Sequence, residues 1–528
     1  MDNFVRDNLP PHNQLPEFVF DLPELHYPRR LNAFDMLDAA IARGLGDKPA
    51  VVWEDGAWTY DQLIAEASRI ARVLVEDMAL EPGNRVLLHG PNRPMTIAAW
   101  FAIAKAGGVI VATMPLLRAT ELAVVIDKAQ ITHALADVAF RHVVDAAQDL
   151  APVLETVAYW GEGGTLDAAA DIDPVVFETV HTHADDPVLI AFTSGTTGKP
   201  KGCVHFQRDV FAMADTFSRH VLKPDASEVF AGTPPYAFTF GLGGLVIFPL
   251  AAGATIACLE RPGFEALCEA ITRHKVTTLF TAPTGYRALL KARGEHDLSS
   301  LRKCVSAGET LPAATSDDWF EATGIRIIDG IGSTEMIHIF ISASGDDIRP
   351  GATGQPVPGF RAEVQDEHGK ALPLGSTGRL AVKGPTGCRY LADERQRDYV
   401  QHGWNLTGDI YRTDEDGYFW FVARGDDMIV SAGYNIGAPE VEAALLLHPA
   451  VCECAVIGVP DPERGQIVKA YVVLHDPAEA GPHMAEALQA FVKMTIAPYK
   501  YPRAVEFRTE LPKTPTGKLQ RFRLKEEA

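Results

Sequence analysis

In the N-terminal part of the chain, unbroken apolar runs alternate with stretches in which apolar residues return every third or fourth position. The runs RVLLHG at 85–90, GVIVATMP at 108–115 and PVLIAFT at 187–193 are rich in β-branched residues and have the length of buried strands. Between them, YDQLIAEASRIARVLVEDM at 60–78 sets Leu63, Ile64, Ala67, Ile70, Ala71 and Leu74 on one helical face, and TIAAWFAIAKAG from Thr96 reads as a second helix. This alternation predicts an α/β fold. Because the strands are apolar throughout and not at every second position, helices are expected on both faces of the sheets.

The texture changes near residue 360. FRAEVQDEHGKALPLGSTGRLAVKG and TDEDGYFWFVARGDDMIVSAG break into short strands at Gly, Asp and Pro turns, which predicts a β-rich subdomain over about 360–426. A helix at 439–447, strands at 452–459 and 468–475 and a lysine-rich tail follow as a shorter α/β module. The expected organisation is a large N-terminal domain, 1–426, of α/β subdomains plus the β-rich one, and a small α/β C-terminal domain, 427–528.

At 528 residues the chain exceeds what one hydrophobic core organises, and 47% hydrophobic with 22% charged residues is ordinary globular usage. Its 48 Lys and Arg against 69 Asp and Glu give a net charge of -21, which repels nucleic acid. An anionic ligand must then be caught by local groups. Seven scattered cysteines without CxxC spacing read as buried, reduced thiols and not as a metal site, which fits a cytoplasmic protein. The N-terminus lacks a basic-then-apolar signal, and no apolar stretch approaches the roughly 20 residues of a membrane helix, so no membrane partner is expected.

One local group stands out. The strand ending at Thr193 opens into SGTTGKPKG at 194–202, where backbone N–H groups, hydroxyls and ammonium groups crowd one tight loop suited to a polyphosphate. It is not a Walker A loop, because Lys199 is followed by Pro200 where that motif needs Ser or Thr leading into a helix.

SGTTGKPKG resembles the phosphate-loop signature of the adenylate-forming superfamily, which includes acyl-CoA synthetases, luciferases and peptide-synthetase adenylation domains. In the same order follow SAGE at 306–309, DGIGSTEM at 329–336, GRLAVKGP at 378–385, WNLTGD at 404–409, ARGDDMIVSAGYNI at 423–436 and PKTPTGKLQR at 512–521. The resemblance spans essentially the whole chain. It implies the adenylate-forming enzyme fold with a mobile C-terminal domain, ATP and Mg2+ as cofactors, and coenzyme A as co-substrate.

The resemblance also implies residue roles. Thr193, Ser194, Gly195, Thr196, Thr197, Gly198, Lys199 and Lys201 would cradle phosphate. Ala307, Gly308 and Glu309 would lie beside adenine, with Asp329, Gly330, Ile331 and Ser333 backing the base and acyl group. Thr334 would contact the α-phosphate, and Glu335 would offer Mg2+ the hard oxygen that it prefers. Asp409 would accept the ribose hydroxyls beside Arg424, and Lys518 would bridge the substrate carboxylate and α-phosphate. Asp426 matches the hinge, and Gly433 the pantetheine tunnel exposed once the C-terminal domain has rotated.

TPPYAFTFGLGG at 233–244 and DGIGSTEMIHIF at 329–340 resemble the benzoate-CoA ligase branch. There His338 would close over a single aromatic ring, Phe240 would form a wall and Gly332 would leave room for the ring edge. Thr239 and Phe240 stand where benzoate ligases tend to have alanine and tyrosine. With ATMPLL at 112–117, they are similar to 2-aminobenzoate-CoA ligases. The expected partners are thus a small aromatic carboxylic acid, ATP and CoA, and the expected assembly is a monomer or homodimer. Two alternatives stay open: an adenylation protein that loads a carrier protein's pantetheine arm, and a non-catalytic nucleotide-binding protein.

Overall fold

A computed structural model describes residues 1–168, 177–193, 200–259, 261, 263–431, 434–461, 464–513 and 519–528. Four sheets organise them. The first has six strands in the order Thr156–Trp160, His133–Asp137, Arg85–His89, Val109–Thr113, Pro187–Thr193 and Lys201–Phe206. All its pairs are parallel except the last. The second has nine strands, and its parallel centre runs Ile327–Gly332, Lys303–Ser306, Thr278–Thr281, Val229–Gly232, Thr255–Ala257 and Pro49–Trp53. Antiparallel strands close both of its edges.

Two helices fill the space between these sheets. Tyr60–Arg72 starts from a reciprocal cap in which Thr59 Oγ1 accepts from the Gln62 backbone and Gln62 Oε1 from that of Thr59. The periodicity predicts α-helix as far as Met78, yet after Arg72 the turns widen to π geometry over Val73–Asp77, with Leu74 still buried. Pro94–Lys105 is buried at every position except Met95, so its sequence is apolar all round. One hydrophobic core joins both helices to both sheets.

The expected β-rich region is an antiparallel five-stranded sheet built from Arg361–Gln365, Thr377–Lys383, Val400–Gln401, Trp404–Thr413 and Phe419–Arg424. A fourth sheet, with strands between Met428 and Phe507, packs on helices Ala438–Leu446 and Pro482–Thr495 around a separate core. All seven cysteines are free, and five are buried. Cys452 and Cys454 are only half-buried, against the expectation of buried thiols, and lie beside a bulge between Val451 and Glu453. No described helix is long and apolar enough to cross a membrane.

Candidate active site

Among the described residues, Thr193, 307–309 and 329–335 lie at or just beyond the C-terminal ends of parallel strands, the usual ligand crevice of open α/β sheets, whereas Asp409 and Arg424 lie on the antiparallel five-stranded sheet. Thr193 ends one strand and pairs with Lys201 at the start of its antiparallel neighbour. A hairpin base, not a strand-to-helix turn, therefore carries SGTTGKPKG. Ser194, Gly195, Thr196, Thr197, Gly198 and Lys199 lie outside the described residues. Thr193 Oγ1 is shut off from solvent without a hydrogen-bond partner among the described residues.

Lys201 reaches a polar knot that sequence reasoning missed. Its Nζ donates to the Tyr390 hydroxyl at 2.8 Å, and that hydroxyl donates to Glu335 Oε1. Lys201 Nζ is itself 3.9 Å from Glu335 Oε1 and 4.7 Å from the centre of the Tyr390 ring. Burial and the Glu335 carboxylate push the Tyr390 hydroxyl far above its ordinary range, so it acts as a donor and holds one Glu335 oxygen in place. The knot is positioned because residues 389–391 run beside Lys201–Phe206: Val204 N–H bonds the Arg389 carbonyl and Leu391 N–H the Gly202 carbonyl, each at 2.8 Å.

Below it, His205 Nε2 donates to the Thr334 carbonyl at 2.8 Å, tying the strand after the phosphate loop to the turn that carries Thr334 and Glu335. Buried Asp209 lies 3.6 Å from His205 Nδ1 and accepts from Arg389 at 2.7 Å. Burial lowers the His205 pKa, but the Cys203 and Asp209 charges outweigh it and lift the ring to about 9. The same turn is strained: Ile337 holds φ at +65°, a costly conformation for a β-branched residue, between Glu335 and His338.

On the adjacent strand ends, Ser306 registers with Asp329. Ala307 is buried, Gly308 turns the chain at φ +86°, and Glu309 follows. Asp329 Oδ1 and Ser306 Oγ are both closed to solvent and unpartnered among the described residues. Burial pushes the Asp329 carboxyl up to about 7. Gly330, Ile331 and Gly332 continue the strand, and Gly332 is exposed at its end. Ser333 Oγ is 3.3 Å from the Tyr399 hydroxyl, whose pKa is raised by burial first and then by Glu335, with a further contribution from Asp409.

Asp409 and Arg424 face each other on neighbouring strands, joined by a 2.9 Å hydrogen bond. The Asp409 side chain is 7% exposed and that of Arg424 47%, so the carboxylate is sheltered while its cation faces solvent. Gly408, at φ +80°, lets the guanidinium lie close.

His338 sits in an aromatic cage. Its ring is 4.5 Å from Phe248, 5.5 Å from Phe217 and 5.7 Å from Phe240. A Cβ on Gly243 would lie 2.3 Å from His338 Cδ2, so glycine is what lets the cage close. Burial pulls His338 down to about 3 and keeps it neutral, and neither ring nitrogen is hydrogen-bonded among the described residues. Thr239 is buried at the start of the short helix that carries Phe240.

In the C-terminal region, Asp426 lies on a 3-10 turn, Gly425–Asp427. Gly433 and Lys518 fall outside the described residues. The flanks of 514–518 are pinned: Lys513 bridges Leu519, Gln520 N–H bonds the Pro512 carbonyl at 2.8 Å, and Lys513 pairs with Glu453 at 2.7 Å.

Residues 38–390 match the family described as AMP-binding enzyme, and residues 440–518 match the AMP-binding enzyme C-terminal domain. The chain is 34% identical over 516 residues to a benzoate–CoA ligase of Thauera aromatica, covering 95% of this chain and 97% of that one. Among solved structures, it is similar to the anthranilate CoA ligase AuaEII in complex with anthranoyl-AMP (TM-score 0.91, 35% identity, 96% of this chain, 99% of that one). It is also similar to a benzoate CoA ligase from Burkholderia xenovorans LB400 (TM-score 0.85, 31% identity, 94% and 99%).

Proposed function

Because the chain belongs to the AMP-binding enzyme family, whose relatives here are AMP-forming acid–CoA ligases, we propose that its acid is a small benzoate, with 2-aminobenzoate preferred and benzoate next. The cage around His338 carries this reading. Three phenyl rings and a neutral imidazole favour a flat aromatic guest over an alkyl chain. An unprotonated ring nitrogen can accept a hydrogen bond from an ortho amino group, and the Thr239 hydroxyl adds a second polar contact.

In the first half-reaction a carboxylate oxygen attacks the α-phosphorus of ATP and pyrophosphate leaves, giving an acyl-adenylate. Residues 193–201 hold the leaving phosphates, Thr334 the α-phosphate, and Lys518 offsets negative charge on the reacting oxygens. Asp329 and residues 307–309 seat the base, and Asp409 with Arg424 seats the ribose. Glu335 fits Mg2+ as a single hard ligand: its Oε2 accepts no hydrogen bond among the described residues, which hold no cluster of three metal-binding side chains. The nucleotide phosphates and water would complete its shell, and bound Mg2+ would neutralise phosphate charge.

In the second half-reaction the unit from 427 to 528 rotates about Asp426, withdraws Lys518 and brings Gly433 to the pantetheine tunnel; the CoA thiol then attacks the adenylate and AMP departs. Scoring AMP release with CoA for benzoate, 2-aminobenzoate, 2-fluorobenzoate, phenylacetate, cinnamate and short fatty acids tests the substrate class. The ortho-substituted and plain benzoates should lead by kcat/KM. Turnover led by a fatty acid contradicts the proposal.

A further inference from the structure

One side chain spans the seam between the two large sheets. Asn92 lies in the loop after Arg85–His89, on the six-stranded sheet, whereas Pro234 and Tyr236 lie in the loop after Val229–Gly232, on the nine-stranded one. Asn92 Nδ2 donates to the Pro234 carbonyl at 2.9 Å, and its Oδ1 accepts from the Tyr236 N–H at 2.8 Å. Exchanging the two ends of the amide would set donor against donor and acceptor against acceptor, so the bonding pattern fixes its orientation.

The gripped loop is also anchored by the Tyr236 side chain, which is buried in the main core with its hydroxyl 3.3 Å from Cys258 Sγ. At its base Thr233 Oγ1 meets Thr281 Oγ1 at 2.6 Å, and within it Phe238 N–H bonds the Pro235 carbonyl. Among the described residues, no other side chain hydrogen-bonds to the backbone of residues 234–237. The loop leads directly into helix Thr239–Leu242, which carries Thr239 and Phe240. It also packs back on that helix: a Cβ on Gly241 would lie 2.1 Å from the Pro235 carbonyl oxygen, so movement of the loop is transmitted to the helix. A small apolar cavity follows the seam, with Gly90, Thr96 and Trp100 on the Asn92 side and Tyr236, Ala237 and Leu242 on the loop side.

We propose that Asn92 is a positioning residue for substrate selection, which fixes the spacing of the seam and hence where Thr239 and Phe240 stand against the substrate ring. This rests on the aryl-acid reading. Without the amide, two backbone groups lose their partner and the loop can shift into or away from the cavity. The proposed nucleotide-binding residues Thr193, Lys201, 306–309 and 329–335 lie on or beside other strands and are left in place.

Asn92→Ala and Asn92→Asp in the full chain test this by AMP release with CoA. The readouts are KM for 2-aminobenzoate, KM for ATP, and the ratio of kcat/KM between 2-aminobenzoate and 4-methylbenzoate. Loss of both bonds should raise the acid KM about tenfold or more, leave the ATP KM within about twofold, and shrink the selectivity ratio. Asn92→Asp keeps an acceptor for the Tyr236 N–H but offers no donor to Pro234, so it should fall between. If the alanine variant does not fold, the aspartate variant is read alone by the same measures. A parallel rise in both KM values marks a merely structural bolt and overturns the proposal, as does unchanged selectivity. A wild-type enzyme inactive on every benzoate overturns the functional reading as well, a result distinct from an active enzyme whose selectivity ignores Asn92.

Discussion

The crevice at the sheet ends and the C-terminal unit are held by opposite means. In the crevice, Glu335, His205, Asp409 and His338 are buried and tied to neighbours or caged by rings, so their geometry is set before any ligand arrives. The C-terminal unit has its own core, and charge pairs tie its last helix to the 425–427 turn. Asp427 pairs with Lys525 at 2.8 Å and with Arg521 at 3.9 Å, and Arg521 pairs with Glu442 at 2.7 Å. The Lys525–Asp427 pair is the most open of these, its lysine side chain 37% exposed, and such pairs are weak and salt-screened, each typically worth under about 1 kcal/mol. A preset binding crevice beside a unit that carries its own core and joins it through the 425–427 turn is what two successive half-reactions in one site need.

Several substitutions would break or sharpen this contrast. The largest effect is expected from Lys518→Ala, which should lower aryl-acid-dependent pyrophosphate exchange by about a hundredfold or more while thioester formation from supplied adenylate falls much less. Equal losses in both assays would remove the proposed division of labour. Next is Tyr390→Phe, which leaves a buried Glu335 oxygen without its donor. A cost of about 1–3 kcal/mol corresponds to about a fivefold to 150-fold loss of kcat/KM for ATP, which steady-state kinetics would read.

A smaller effect concerns pH. Asp329 titrates near 7 in the folded chain, above its ordinary value of 3.8, so its contribution to stability is present below about pH 4 and is lost as pH rises through 7. Asp329→Asn should therefore raise Tm relative to the wild type by more at pH 8 than at pH 5. Calorimetry showing the same difference at both would contradict the assignment. The smallest change is expected from Lys525→Ala: stability lower by under about 1 kcal/mol, and by less at high salt. Its expected signature is an altered ratio of the two half-reaction rates, measured in single turnovers.

The two regions also differed in how far they could be read in advance. Apolar runs located the strands, and the wholly apolar segment from Thr96 located the buried helix, because burial on every side leaves a sequence mark. The motif residues Thr193, Lys201, Asp329, Glu335, Asp409 and Arg424 were marked by resemblance, and the structure pairs Thr193 with Lys201, Lys201 with Glu335 and Asp409 with Arg424. Tyr390, His205, Asp209 and Asn92 were not legible. Each acts on a partner far along the chain, as in the pairing of Tyr390 with Glu335 and of Asn92 with Tyr236, and such long-range pairings have no local period. The only available signal was chemical: His205 is a polar residue inside the apolar strand Lys201–Phe206, and such residues are buried only when partnered. The π-helical end after Arg72 was hidden for another reason, because the face that Leu74 buries is the same in either geometry.

The central claim is that this crevice turns an aryl carboxylate into an acyl-adenylate. Turnover of 2-aminobenzoate labelled with 18O in both carboxylate oxygens, with ATP and CoA, tests it most directly. The account predicts one 18O in each AMP released and none in pyrophosphate; unlabelled AMP, or label in pyrophosphate, would contradict it.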